Sequence, residues 1–416
     1  MSSRFKFDAD VAVIGAGVIG CSVAYALSRE GHKVVLLDRG DVGLEGASYG
    51  NAGHIASELV QPLPSLSLLL GCWRFLTSFG GPAKIDRSEL RRFISGSGSF
   101  VRAAFARDRN TRVLRPLVEV STDAMWILLR DIRRSELLRR NGHYQFWLGR
   151  DGPRKAAAEA ALFSDLAVAT APVSGDLLRA VAARAGVQKA AGLFFPGTGH
   201  VVDPRGVCLA LANAARRNGA AQQRFEVKAL RAAPDGVLVQ GEGRSLVARS
   251  VIVCAGAWAK PLLHSVGIRA PLMSARGYHV ELPGENAVAE GPCLYMDSHT
   301  LVTPMRGRLR ATSFMEFAAP SAPIDPLLPR RLRQNLKQLG YECENPGPIW
   351  VGPRPVLPDF LPGIGRSPMA PNVFYAVGHQ QLGLTLAPVT GRLVADMVAG
   401  RPPVHDIRPF DLKRFG

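Results

Sequence analysis

Cysteine is sparse and scattered in this chain of 416 residues: Cys21, Cys72, Cys208, Cys254, Cys293 and Cys343 form no CxxC pair and no His/Cys cluster. That spacing argues against zinc, an iron–sulfur cluster and a disulfide framework, so no metal site is expected and a reducing, cytoplasmic setting fits. The opening MSSRFKFDAD contains no apolar core of the kind a cleaved presequence needs. Long apolar runs are equally scarce. The stretch Leu59 to Gly81 is interrupted by Pro62, Pro64 and Arg74, short of the roughly 20 residues that span a bilayer. It is expected either to pack on the protein's own surface or to make peripheral contact with the inner face of a membrane. Acidic side chains are outnumbered, 34 Asp and Glu against 51 Lys and Arg, a formal charge of +17. No basic block interleaved with aromatics accompanies the excess, so nucleic acid is not expected as a partner and the charge reads as a solvated basic surface.

What is present begins at once. Asp10 to Asp38, DVAVIGAGVIGCSVAYALSREGHKVVLLD, spells a βαβ unit: an apolar strand, the turn Gly15-Ala16-Gly17-Val18-Ile19-Gly20, a helix from Val18 to Gly31 and a second apolar strand. Gly15 permits the tight bend, Gly17 lets the backbone approach a pyrophosphate, and Gly20 lets helix and strand pack closely. The helix N-terminus offers unpaired N–H groups and the positive end of a dipole to the same anion. Asp38 is placed to accept hydrogen bonds from an adenosine ribose and to repel a 2′-phosphate. The unit points to a dinucleotide cofactor.

Further on, a Gly/Ser-rich loop, Gly40 to Gly53, leads into a region of little strand character with helices predicted at Ser88 to Arg107 and Leu114 to Arg139. A strand is predicted at His143 to Leu148, and helices at Gly152 to Leu162 and Pro204 to Asn218. Ala229 to Cys254 reads as a hairpin followed by a buried strand, Ser250 to Cys254, that runs into Ala255-Gly256-Ala257-Trp258. Strand-like runs recur at Tyr278 to Leu282, Leu301 to Pro304 and Arg308 to Ser313, and Pro329 to Leu339 makes a basic helix. The strand Asn372 to Val377, the turn Gly378 to Gly383 and a helix from Leu384 to Ala399 close the chain. The fold class is therefore α/β (α+β overall), with a discontinuous Rossmann-like domain at 1–58, 190–270 and 350–416. A substrate or cap domain of β-sheet and helices takes 59–189 and 271–349.

Together these segments resemble the FAD-dependent D-amino-acid oxidase superfamily, and within it the bacterial D-amino-acid dehydrogenases and the hydroxyproline and opine dehydrogenase subunits. The resemblance rests on the GAGVIG turn with Asp38, Ser48-Tyr49-Gly50-Asn51-Ala52-Gly53, Gly199 to Gly206, Ala255 to Trp258, Arg276-Gly277-Tyr278, Gly352-Pro353-Arg354-Pro355 and Gly378 to Gly391. It implies FAD as cofactor and oxidation of an amine beside a carboxylate. It also implies cofactor contacts beyond the first turn: Arg39, Ser48, Asn51, Ala52 and Gly53; Val227, Ala255, Gly256 and Trp258; Arg354; and Gly378, His379, Gln381, Leu382, Gly383, Leu384 and Thr385. Two departures stand out. Gln380-Gln381 follow His379 where many relatives carry a smaller residue, and His54 follows the loop, either facing the flavin ring or held by backbone.

Oxidation of an amino acid on a flavin needs a clamp on the carboxylate and stabilisation of charge on the reduced ring. The N–H groups of the helix that follows Gly383 are candidates for the second role. For the clamp the planar guanidinium forks are Arg306, in a strand-end TPMRG, and Arg354, with the Tyr278 hydroxyl as an additional donor. The expected reaction is hydride transfer from Cα of a D-amino acid or a cyclic secondary amino acid such as hydroxyproline. Electrons would pass to a quinone or a redox-partner protein, in a hetero-oligomer if the partner is a subunit. An oxygen-using glycine or sarcosine oxidase, a flavin-bound RNA-modifying factor and a non-catalytic dehydrogenase subunit are the competing readings.

Overall fold

The computed structural model describes residues 7–66, 68, 76, 81–233, 235–283, 287–341 and 347–416, and only the backbone of 92–96. Residues 67, 69–75 and 77–80 of the apolar stretch at Leu59 to Gly81 lie outside the described residues. No helix among those described is long and apolar enough to cross a membrane.

Strand Ala9–Ile14 is apolar on both faces after Asp10, as a strand covered on both sides must be. It pairs in parallel with Val34–Asp38 on one side and Ser245–Val253 on the other. Beyond Val34–Asp38 lies the parallel strand Ala221–Arg224. The far side of Ser245–Val253 has two neighbours: its first half pairs antiparallel with Gly236–Gly241, and its second half parallel with Val373–Val377. Strands Val227–Ala233 and Gly363–Arg366 complete an eight-stranded sheet. A single strand thus separates the first strand of the chain from the last parallel one.

Helices Val18–Arg29, Pro204–Arg217 and Gly383–Val398 share one core, in which Leu27, Leu211 and Leu393 are fully buried. The opening and closing helices cross tightly: Ser22 Oγ donates to Ala387 O at 2.7 Å, and a Cβ on Gly391 would lie 2.6 Å from Ser22 Oγ. In the middle helix Asp203 Oδ1 accepts from Gly206 N–H at 2.9 Å and Pro204 occupies the first turn, so the Asp-Pro-Arg-Gly run is a helix start.

The second sheet has nine strands. Trp350–Val356, Met273–Pro283, Arg308–Phe317, Thr300–Met305 and Cys293–Tyr295 lead to His143–Leu148, Ala190–Phe195 and Ala171–Pro172, while Ala83–Ile85 pairs with the end of Arg308–Phe317. Helix Leu327–Gln338 buries Leu328, Leu332 and Leu336 in the core of this half. A small sheet of His54–Ile55, Gly199–Val201 and Leu138–Arg139 completes the strands among the described residues.

Three sequence expectations are corrected. The single helix expected from Leu114 to Arg139 is two helices, Arg107–Glu119 and Ser121–Asp131, that meet at Val120, and Arg133 at φ 58° turns the chain away toward the strand Leu138–Arg139. Leu137 and Leu138 are buried in the same core as the helices, so apolar spacing carries no sign of the break. Ala190–Phe195 and Trp350–Val356, assigned above to the nucleotide half, are hydrogen-bonded into the second sheet. Ser250 to Cys254 is the far half of a longer strand that forms a meander with the hairpin before it.

Candidate active site

A cavity of about 770 Å³ takes its walls from both large sheets. At one end lies the glycine turn. Gly15 has φ +105°, and a Cβ there would stand 2.5 Å from Cys254 O; a Cβ on Gly20 would collide with Gly15 O. Those two glycines hold strand and helix together, and Gly15 lines the cavity along with Gly17, Val18 and Ile19. Ser48 Oγ accepts from Val18 N–H at 3.0 Å, tying the following loop to the helix N-terminus. Asp38 lines the cavity and accepts from Ala16 N–H at 2.6 Å and Gly40 N–H at 3.0 Å, one bond to each oxygen, so each oxygen retains further accepting capacity. Arg39 lies 4.1 Å over the Trp258 ring, and both line this end with Val227, Ala255 and Gly256. Ser48, Asn51 and Ala52 continue the wall. At the other end His379, Gln381, Gly383 and Leu384 line the cavity where helix Gly383–Val398 begins, with no side chain capping that helix.

Several expected cofactor residues lie just outside this wall. Gly20 serves the turn, and Gly53, at φ +75°, packs its backbone against Val201 O. Gly378, at φ +69°, packs on Leu357, Leu382 is buried in the core, and Thr385 Oγ1 accepts from Ala56 N–H at 3.1 Å. A helix N-terminus turns only some of its first residues to one side, and sequence position does not say which.

The second sheet supplies the opposite wall, and it separates the three carboxylate-clamp candidates. Arg306 is exposed at the turn between Thr300–Met305 and Arg308–Phe317 and does not line the cavity. This corrects the expectation for it; a strand end can face either side of a sheet. Tyr278 lines the cavity, but its hydroxyl donates to Glu316 Oε2 at 2.5 Å. Glu316 is also held by Arg276 through Nε at 2.9 Å and Nη2 at 2.6 Å. The Tyr278 hydroxyl therefore belongs to a buried structural network, and its expected donation to a substrate carboxylate is corrected. Arg354 remains. Its guanidinium lies against Gly277, where any Cβ would collide with Nη2 and Cζ, and its Nη1 donates to Phe314 O at 3.1 Å. Phe314 adopts φ 66° within its strand, which turns that carbonyl toward the arginine. No carboxylate among the described residues pairs with Arg354, and burial pulls its pKa down to about 10, so it is a cation awaiting an anion.

His54 does line the cavity. Its Nε2 lies 3.6 Å from Glu58 Oε2, and Glu58 Oε1 lies 3.8 Å from His143 Nε2. Burial drives His54 down to about 3 and His143 well below the usual imidazole range, and lifts Glu58 to about 8. Glu58 and His143 escaped the sequence reading because they come from separate segments and match no local motif. So did Arg310, which pairs with Glu281 at 2.6 Å and donates to Tyr49 O at 3.2 Å and Asn51 O at 2.7 Å, clamping the loop at the cavity to the second sheet.

The geometry agrees with comparison to known proteins. The FAD dependent oxidoreductase family, DAO, matches residues 10–397. This chain belongs to that family. FAD is its cofactor, and the residues fit it: a close-packed glycine turn opening a helix, an acid closing the second strand, and another uncapped helix N-terminus at the far end of one cavity. Among relatives of this DAO-family protein, a D-amino-acid oxidase of Bradyrhizobium diazoefficiens is 30% identical, covering 97% of this chain and 98% of its own. A D-amino acid dehydrogenase of Cereibacter sphaeroides is 27% identical over 97% of this chain and 95% of its own. The crystal structure of glycine oxidase from Geobacillus kaustophilus superposes with a TM-score of 0.77 at 24% identity, covering 98% of both chains.

Proposed function

We propose that the protein oxidises a D-amino acid or a cyclic secondary amino acid, such as hydroxyproline, at the bond between Cα and nitrogen. FAD would supply the hydride acceptor. The observation that carries this reading is Arg354: a desolvated guanidinium on the cavity wall, held by one backbone carbonyl and paired with no carboxylate among the described residues. A substrate carboxylate is the partner whose two oxygens match its planar fork. Gly277 supports the role, because the absence of a side chain there gives the guanidinium its place. Burial keeps His54 neutral on the cavity wall, so it adds no positive charge beside the substrate amine. With substrate fixed by its carboxylate, positioning of the Cα–H supplies most of the rate enhancement.

For the electron acceptor, the reading keeps a quinone or a redox-partner protein, with peripheral membrane contact as the corresponding location. The names of two relatives, an oxidase and a dehydrogenase, keep oxygen as the second reading. Anaerobic bleaching of the flavin band at ~450 nm, read across D- and L-amino acids, proline analogues and opines, tests the reductive step alone. Reduction by a D-configured or cyclic amino acid is expected, followed by dye reduction without peroxide when air is admitted. Failure of every amino acid to bleach the flavin would end the proposal, and stoichiometric peroxide would move the acceptor to oxygen.

A further inference from the structure

We propose that His54, Glu58 and His143 form a binding site for a divalent transition-metal ion of the Zn2+ class. The three donors come from two segments, residues 54–58 and the second-sheet strand His143–Leu148, so the site forms only in the folded chain. One ligand atom from each lies within 4.8 Å of the others. His54 Nε2 lies 3.6 Å from one Glu58 oxygen and His143 Nε2 lies 3.8 Å from the other; with no separation above 4.8 Å some point lies within about 2.8 Å of every donor, and a contraction of under about 1 Å reaches the bond lengths of zinc to imidazole nitrogen and carboxylate oxygen.

The spacing rules out direct hydrogen bonds among the three side chains. Both separations exceed hydrogen-bond distance, and His54 Nε2, Glu58 Oε2 and His143 Nε2 are each buried with no hydrogen-bond partner among the described residues. Leaving three such atoms unsatisfied is costly, and a small cation satisfies them at once.

The surroundings prepare the ligands. Thr198 Oγ1 donates to Phe195 O at 3.1 Å, so it accepts the proton of His143 Nδ1 at 3.3 Å. That fixes the tautomer and leaves the Nε2 lone pair bare toward Glu58, the outer-shell arrangement of a metal-bound histidine. Phe195 stacks on His143 with centroids 4.4 Å apart and planes 17° apart, which holds the ring in place. Two neutral nitrogens and one carboxylate suit zinc, cobalt or iron better than magnesium or calcium. Because His54 and Glu58 also line the large cavity, an ion held here would sit at its wall.

The test uses the FAD-loaded protein, stripped with a chelator and titrated with Zn2+ by calorimetry and with Co2+ by visible absorption. One saturable ion per chain and an intense cobalt d–d band of low coordination number are expected. Glu58→Gln and His143→Ala should weaken binding by at least about 100-fold, and Thr198→Val by about 10–100-fold. Flavin absorbance and the thermal transition report whether each variant is folded. The proposal is overturned if the folded wild-type protein gives neither saturable heat nor a cobalt band, or if Glu58→Gln binds as tightly as wild type.

Discussion

Arg354 concentrates the chemistry of the site in one residue, and two substitutions separate its charge from its placement. Arg354→Ala removes the fork and should raise KM and slow flavin reduction together, a loss of about 2–4 kcal/mol for a desolvated charge pair. Gly277→Ala keeps the charge but drives a methyl group into the space of Nη2 and Cζ. It should reproduce most of the Arg354→Ala defect in reduction kinetics while FAD binding persists. Normal kinetics in Gly277→Ala would show that the guanidinium works from another position. Arg306→Ala serves as the control: its side chain is exposed outside the cavity, so its reduction rate should match wild type. The sequence put Arg306, at a strand end, and Arg354, in a Gly-Pro-Arg-Pro turn, on equal footing because neither peptide says where its side chain goes. Burial, which a residue's own type does not encode, tells them apart.

At the scale of elements, the contact that matters most is the crossing of helices Val18–Arg29 and Gly383–Val398. They carry the two ends of the cavity, Val18 and Ile19 on one and Gly383 and Leu384 on the other, so their relative position sets the distance between the two helix N-termini. Gly391 sits at the crossing, where an added Cβ would meet Ser22 Oγ at 2.6 Å and Ser22 O at 2.9 Å. Gly391→Val should cost about 1–3 kcal/mol through overpacking and loosen FAD at the same time. Urea denaturation and flavin titration would measure the two effects; a loss of stability with unchanged FAD affinity would mean that the crossing does not set the cavity. The opening βαβ unit was readable almost to the residue because its strands are uniformly apolar and its turn glycines are demanded by close packing. The helix boundary near Val120 and the sheet membership of Trp350–Val356 were not, since an apolar pattern reports that a residue is buried and not which neighbour buries it.

Over the whole molecule, burial of neutral imidazoles ties stability to pH. Desolvation lowers His54 and His379 to about 3 and His200 and His279 to about 4 from the ordinary 6.5. The unfolded chain therefore binds protons that the native state refuses as pH falls from 6.5 toward 4, and stability drops by up to about 1.4 kcal/mol per pH unit for each histidine. Glu58, raised to about 8, acts in the opposite sense between 4.5 and 8 because only the native state keeps its proton there, which offsets one of the four. In chelator-treated protein the urea midpoint should fall between pH 6.5 and pH 5; a midpoint that holds or rises would show that these histidines are not buried neutral. The sequence by itself determined the nucleotide-binding half, since its glycines, its apolar strands and Asp38 act through contacts within some thirty residues of chain. It also marked the second strand–turn–helix unit at the C-terminus. Only the tertiary structure decided which arginine enters the cavity, that the Tyr278 hydroxyl is already committed to Glu316, and that Glu58 and His143 meet His54. Those outcomes depend on how two sheets from distant parts of the chain face one another, and no local pattern records a distance between segments that touch only after folding.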